Sequence, residues 1–321
     1  MKLVLANADY GGTPGGGLGH TSDEGEQLQR GLESAGWTLA GFGYGDGCID
    51  VPTLLERHRP EVVFVQDPRD WDRESAGCCD VRVSFERAEA LADWSGYKVG
   101  VFKDAASSPE FQAGWVAKLG LDALVVYYEP EAVRRAAPWL PWGMELVRTH
   151  HSIDATMIDA IDLSQPRKRG VVSGSTSRGD YPLRLAVMAQ HQRLGLDYWR
   201  HPGYGSTGCR TPEYLGMLAG YKVSVATASV YGFALRKIIE SVAAGCIAVT
   251  NLPESDVLPE IDGALWRVSQ EAKIGEVEDA VAQAEAAWDL DAAIEWSKRA
   301  CRFYDWRAVG QRLSDSIEAA A

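Results

Sequence analysis

Arg236 and Lys237 are adjacent cations placed where a helix is predicted to begin. Leu235, Ile238, Ile239 and Val242 fall at i, i+3, i+4 and i+7, one apolar helical face. Gly245 stands where a left-handed C-terminal cap is wanted. The start of a helix already carries partial positive charge and prefers acids. Two bases there oppose the local preference. A phosphate group reconciles them, because backbone N–H groups at a helix start also attract it. The competing reading is an Arg236–Glu240 pair on a solvated face. Its base-before-acid order is the weaker orientation, which favours the phosphate reading.

The surrounding elements suit that chemistry. Lys222–Thr227 alternates around Val223 and Val225 and reads as a strand, and Cys246–Thr250 is a short apolar one. Strand, loop, helix and strand make one βαβ unit with the basic pair at its phosphate-facing end.

Similar units run through the first half. Strands are predicted at Lys2–Asn7, Trp37–Phe42, Glu61–Gln66, Tyr97–Phe102 and Leu121–Tyr127. Helices are predicted after a Thr21–Glu24 capping box, at Val51–Arg57 and at Phe85–Trp94. The polar run Asp162–Arg169 reads as a hinge. A second α/β half follows, with a strand at Gly170–Ser173 and a helix from Pro182. Glu276–Trp296 is one acidic helical stretch, and Trp306 opens an amphipathic tail helix with Val309, Leu313 and Ile317. The expected class is α/β, with parallel sheets covered on both faces. The expected domains are 1–161, 162–305 and a returning helix at 306–321.

In such sheets ligands gather beyond the carboxyl ends of strands. In the first domain those ends carry Asp67, Asp104 and the loop containing Gly16, Gly17 and His20. In the second they carry Gly174–Arg178 and the loop before Arg236. The first set is acidic and the second basic. That asymmetry suits a phosphate-bearing donor on the second domain and a neutral hydroxylated acceptor on the first. The Gly-rich loop is no dinucleotide fingerprint, because His20 takes the last glycine slot, and no Gly-Lys-Ser/Thr follows. It reads as a lip that lets backbone approach an acceptor closely. Asp67 and Asp104 suit a general base or a sugar-hydroxyl acceptor, and equally plain loop carboxylates. His150-His151 reads as structural.

At 321 residues two domains are expected. A net charge of −13 argues against a general nucleic-acid binder, though not against a local basic cleft. No run of 18 apolar residues predicts a membrane span, and Met1–Asn7 lacks a signal peptide's apolar region, so a cytoplasmic location is expected. The six cysteines show no CxxC and are expected reduced. No HExxH occurs and no metal is required, while a divalent ion on a diphosphate stays open.

The run Leu235–Gly245, with Ala248-Val249-Thr250 and Leu252-Pro253, resembles the C-terminal domain of group-one glycosyltransferases of GT-B fold, in versions found in bacteria and their phages. Ser152-Ile153-Asp154 is similar to the segment before that family's linker. Ser173-Gly174 to Arg184 is similar to its first donor-side strand, loop and helix, and Phe303–Trp306 to the start of its closing helix. The resemblance implies two Rossmann-like domains facing across a cleft and a retaining transfer from a nucleotide-diphosphate sugar, with a UDP-sugar favoured, to a hydroxyl acceptor. It implies donor contacts from Gly174, Arg178, Gly232, Phe233, Arg236, Lys237 and Glu240, with Glu240 on the ribose. Arg236 and Lys237, with His20 and Asp104, are the expected catalytic set, and Gly16, Gly17, His20 and Asp67 the acceptor side. Many relatives carry an acid eight residues before Glu240, where this chain has Gly232. Two other functions fit: a phage DNA glycosyltransferase acting on hydroxymethylated bases, and a non-catalytic nucleotide-sugar-binding protein.

Overall fold

The computed structural model describes residues 3–7, 19–41, 50–65, 88–102, 106, 109–174, 179–200 and 211–321. They form two compact units. One gathers Met1–Gly16, Ser22–His150 and Val309–Ala321, and the other Gly17–Thr21 and His151–Ala308.

The first unit holds a six-stranded parallel sheet in the order β2-β1-β3-β4-β5-β6. Its strands are β1 Leu3–Asn7, β2 Thr38–Gly41, β3 Val62–Val65, β4 Tyr97–Phe102, β5 Ala123–Val126 and β6 Glu145–Arg148. Every residue of β3 and β5 is buried, as expected for strands covered on both faces. The helices are α1 Gly19–Ser34, α2 Val51–His58, α3 Pro109–Leu119 and α4 Pro130–Ala136. Asp50 caps α2 by accepting from the Thr53 N–H at 2.8 Å. Trp115 of α3 packs against Phe102 at 5.3 Å between ring centroids.

The second unit holds a five-stranded parallel sheet in the order β11-β10-β9-β7-β8. Its strands are β7 Lys168–Gly174, β8 Asp197–Arg200, β9 Tyr221–Val225, β10 Ile247–Thr250 and β11 Leu265–Arg267. Its helices are α5 Ala155–Asp159, α6 Pro182–Ala189, α7 Thr211–Leu218, α8 Arg236–Ala243, α9 Ile274–Ala287 and α10 Leu290–Tyr304. On one face Val172, Val223, Val225 and Val249 meet Val187 of α6 and Val277 and Val281 of α9. On the other, Ala248 joins Leu215 of α7, Ile238, Ile239 and Val242 of α8, and Tyr304 of α10. In each sheet the strand order reverses once, beside β1 and beside β7, and such switch points are where parallel sheets bind ligands.

The last helix, α11 Trp306–Ala320, starts among residues of the second unit and continues in the first. Ile153 and Tyr304 lie in the two short segments similar to linker and closing helix, and these segments pair. The Ile153 N–H donates to the Tyr304 carbonyl at 2.9 Å, and the Trp306 N–H to the Ile153 carbonyl at 3.0 Å. Within the first unit Val309, Leu313 and Ile317 of α11 are buried, and Trp37 Nε1 donates to Ser314 Oγ at 2.8 Å.

Four local expectations are revised. Helix α1 begins at Gly19, ahead of the Thr21 that the capping-box pattern marks, so Thr21 lies inside the helix. A cap contributes only about 1 kcal/mol and does not by itself set a helix start. Residues 276–296 are two helices, because Asp289 caps α10 by accepting from the Ala292 N–H and Trp288 Nε1 turns back to the Gly245 carbonyl. Among the described part of 85–94 there is a short 3-10 turn, Ala88–Leu91, in place of an α-helix. The polar run Asp162–Arg169 is pinned within the second unit. Arg167 donates from one guanidinium nitrogen to the carbonyls of Tyr221, Ala244 and Gly245 at 3.0 to 3.1 Å.

Candidate functional site

The strongest candidate lies at the carboxyl edge of the second sheet, where β7 and β9 adjoin. After β9 the chain is buried through Ser229, a costly course for backbone unless its polar groups are paired. They are. The Ala228 N–H donates to Asn251 Oδ1 at 2.8 Å, and the Val230 N–H to the Asp180 carbonyl at 2.9 Å. Ser229 Oγ accepts from the N–H groups of Tyr231 and Phe233. These contacts fix the point at which α8 begins.

Helix α8 starts at Arg236 with Leu235 as its cap residue. No side chain caps it and no acid occupies its first turn. Its other end closes in a Schellman motif, with the Gly245 N–H on the Val242 carbonyl and the Cys246 N–H on that of Ser241, both at 2.9 Å. The helix is thus completed at its C-terminus and leaves its positive pole to Arg236 and Lys237.

Glu240 Oε1 lies 3.1 Å from Arg236 Nε, with side chains 3 % and 12 % exposed. The i to i+4 pair forms, but in the protein interior and not on a solvated face. Lys237 Nζ sits 4.4 Å over the ring of Tyr214, a favourable cation–π distance. Tyr214 Oη shares a 2.8 Å hydrogen bond with Ser173 Oγ at the end of β7. Burial, and then the negative charge of Glu240, hold the Tyr214 phenol well above its ordinary pKa.

Beneath the end of β7 lies Arg184, which is 1 % exposed. Its Nε donates to Thr227 Oγ1 at 3.2 Å and a terminal nitrogen donates to the Thr227 carbonyl at 3.0 Å, while Tyr181 stacks 4.0 Å away. Gly174 makes room for it. Gly174 has φ +121°, and a Cβ there would lie 2.9 Å from an Arg184 guanidinium nitrogen. Gly174→Ala is therefore expected to cost about 1–3 kcal/mol of stability. Denaturant unfolding checks this, and a loss under 0.5 kcal/mol would refute the strained fit, a threshold at the level of an ordinary surface substitution.

Gly232 has φ +74°, and a Cβ on it would approach Gln270 Nε2 to 2.9 Å and Pro253 Cγ to 3.1 Å. A side chain is strained at this place. Phe233 is buried and packs 5.5 Å from Tyr231, so its ring belongs to the loop's interior.

Of the expected donor set, Gly174, Gly232, Phe233, Arg236, Lys237 and Glu240 all lie in this part of the second unit. Arg178, Gly16, Gly17, Asp67 and Asp104 fall outside the described residues. His20 is in the backbone of α1. Arg184, Tyr214 and Thr227 are additions that no spacing marks. Their involvement follows from strand ends meeting in space. Among the described residues no three of His, Cys, Asp and Glu gather as a metal site, and no helix is long and apolar enough to cross a membrane.

Solved structures share this architecture end to end. Sucrose-phosphate synthase from Thermosynechococcus elongatus superposes with a TM-score of 0.56 at 13 % identity, covering 100 % of both chains. The fold is GT-B. The DNA-modifying beta-glucosyltransferase, a structure studied with and without uridine diphosphoglucose, superposes with a TM-score of 0.54 at 11 % identity. It covers 100 % of this chain and 99 % of its own. The lipopolysaccharide outer core galactosyltransferase WaaB also gives 0.54, at 9 % identity over 100 % of both chains. At such identities the likeness is one of fold. No family model and no curated protein matches the sequence. In this GT-B chain the built features of the second unit therefore carry the functional argument.

Proposed function

We propose that this protein transfers a glycosyl group from a nucleoside-diphosphate sugar, with uridine the favoured base, to a hydroxyl acceptor. One observation carries the reading. A helix with no side-chain cap begins with two cations, at a topological switch point of a parallel sheet. Breaking a sugar–phosphate bond builds negative charge on the departing diphosphate. Fixed cations and a helix N-terminus stabilise that charge without reorganising. Arg236 and Lys237 take the diphosphate, and Gly174 and Arg178 are assigned beside it from the loop after β7. Gly16, Gly17, His20 and Asp67 of the N-terminal half are assigned to the acceptor, and Asp104 to general-base work. The fold shared with three glycosyltransferases is consistent with this reading.

A thermal-shift panel of nucleoside-diphosphate sugars tests it. A donor at a hundred times its Kd stabilises by about 2.7 kcal/mol, which is roughly 4 °C for a chain of this size. Uptake of labelled sugar into saccharides or into hydroxymethylated duplex DNA then identifies the acceptor class. Binding without consumption would favour a non-catalytic protein. Conversion of donor with no acceptor present would favour an epimerase. No shift with any donor would refute the site.

A further inference from the structure

We propose that Tyr214 is the positioning residue for Lys237: its ring face holds the ammonium at the carboxyl edge of the second sheet, where the diphosphate is assigned. This deepens the nucleotide-sugar reading of the site and rests on it.

A lysine carries its charge on a flexible stem, so the helix start alone does not fix where the ammonium lies. Lys237 is half-buried in the first turn of α8, and its Nζ sits 4.4 Å from the centroid of the Tyr214 ring. That ring belongs to another helix, α7, and is only 5 % exposed. It is held from two further sides. The Tyr214 hydroxyl shares its 2.8 Å hydrogen bond with Ser173 Oγ, the neighbour of Gly174 at the end of β7. Trp199 of β8 meets the ring edge-on, with centroids 6.5 Å apart and planes at 82°. The platform is thus registered to the ends of β7 and β8, and through it so is the ammonium. Burial, and then the charge of Glu240, keep the phenol protonated. Tyr214 therefore holds the cation by the negative face of its ring and brings no countercharge. Arg236 is held differently, by a carboxylate that offsets its charge. A neutral ring fixes an ammonium and leaves its charge to attract an anion.

A binding experiment separates positioning from core filling. Nucleoside diphosphates of all four bases are titrated calorimetrically into the full chain, Tyr214→Leu, Tyr214→Phe, Lys237→Met and the double variant Tyr214→Leu/Lys237→Met. Tyr214→Leu is expected to weaken the diphosphates by about three- to tenfold, the size of a desolvated cation–π contact. Tyr214→Phe keeps the ring face and should bind within about twofold of the unaltered protein. Once Lys237 is methionine, Tyr214→Leu should cost no further affinity, as for two residues acting as one unit. Pentafluorophenylalanine at position 214 serves if the leucine variant does not fold. It keeps the shape of phenylalanine but reverses the polarity of the ring face, and should bind about three- to tenfold more weakly than Tyr214→Phe. Three results would overturn the proposal while leaving the diphosphate site standing: undiminished binding by Lys237→Met, a leucine effect that persists in full beside Lys237→Met, or equal binding by the phenylalanine and pentafluorophenylalanine proteins. Failure of the unaltered protein to bind any of these diphosphates would overturn the site as well.

Discussion

Arg236→Met is expected to lower sugar transfer by about two to three orders of magnitude, the size found when one preorganised donor to a developing anion is removed. It should also destabilise the second unit, because Glu240 would be left buried without its ion-pair partner. Breaking such a pair from one side costs about 3–5 kcal/mol. The sequence alone suggests a milder outcome, since a pair on a solvated face contributes at most about 1 kcal/mol. With side chains 12 % and 3 % exposed, the interior value applies. The double variant Arg236→Met/Glu240→Leu separates the two effects. Removing both charges should return stability to within about 1–2 kcal/mol of the unaltered protein, because apolar replacement of a whole buried pair is often close to neutral. Turnover should stay low, because the cation is gone. The checks are kcat/KM with the donor and denaturant unfolding on the same samples. Turnover recovering together with stability in the double variant would show that Arg236 matters only to the fold.

The second large effect concerns the tail helix. A Cβ added to Gly310 would lie 2.2 Å from the carbonyl carbon of Gly31 and 2.4 Å from its Cα, both backbone atoms of α1. No side chain can swing aside there, so the two helices must separate. Their contact includes the buried Val309, Leu313 and Ile317 and the Trp37–Ser314 hydrogen bond. Gly310→Ala is expected to cost roughly 3 kcal/mol or more, above the usual range for overpacking, because backbone yields least. Gly114 serves as the control, since a Cβ there meets nothing within 4 Å. Gly114→Ala in helix α3 should be neutral or stabilising by up to about 1 kcal/mol. Equal melting points for the two variants would refute the close helix contact.

The βαβ unit from β9 to β10 was legible because its signals are local. Apolar spacing set the face of α8, Gly245 set its end, and the cations at its start are read from residue type alone. The same holds for α6, started by Pro182, and for the buried strands β3 and β5. Helix α4, strand β8 and strand β11 carry short or mixed patterns and escaped notice. The division at Trp288–Asp289 escaped too, because an acidic, Ala-rich stretch supports helix on either side. What breaks it is a tryptophan reaching a carbonyl 43 residues away.

By itself the sequence determined that this chain is α/β, where its second sheet receives a helix with a basic start, and that this start suits a phosphate. Those properties depend on neighbours within a turn or two of the chain. The tertiary structure decided which charges are inside. It placed Glu240 beneath Arg236, Lys237 on Tyr214, and Arg184 under Gly174. The physical reason is that desolvation is not a property of a residue or its spacing. It is set by what distant segments bring to cover it, and here that cover comes from the ends of two strands that adjoin only when the sheet has formed.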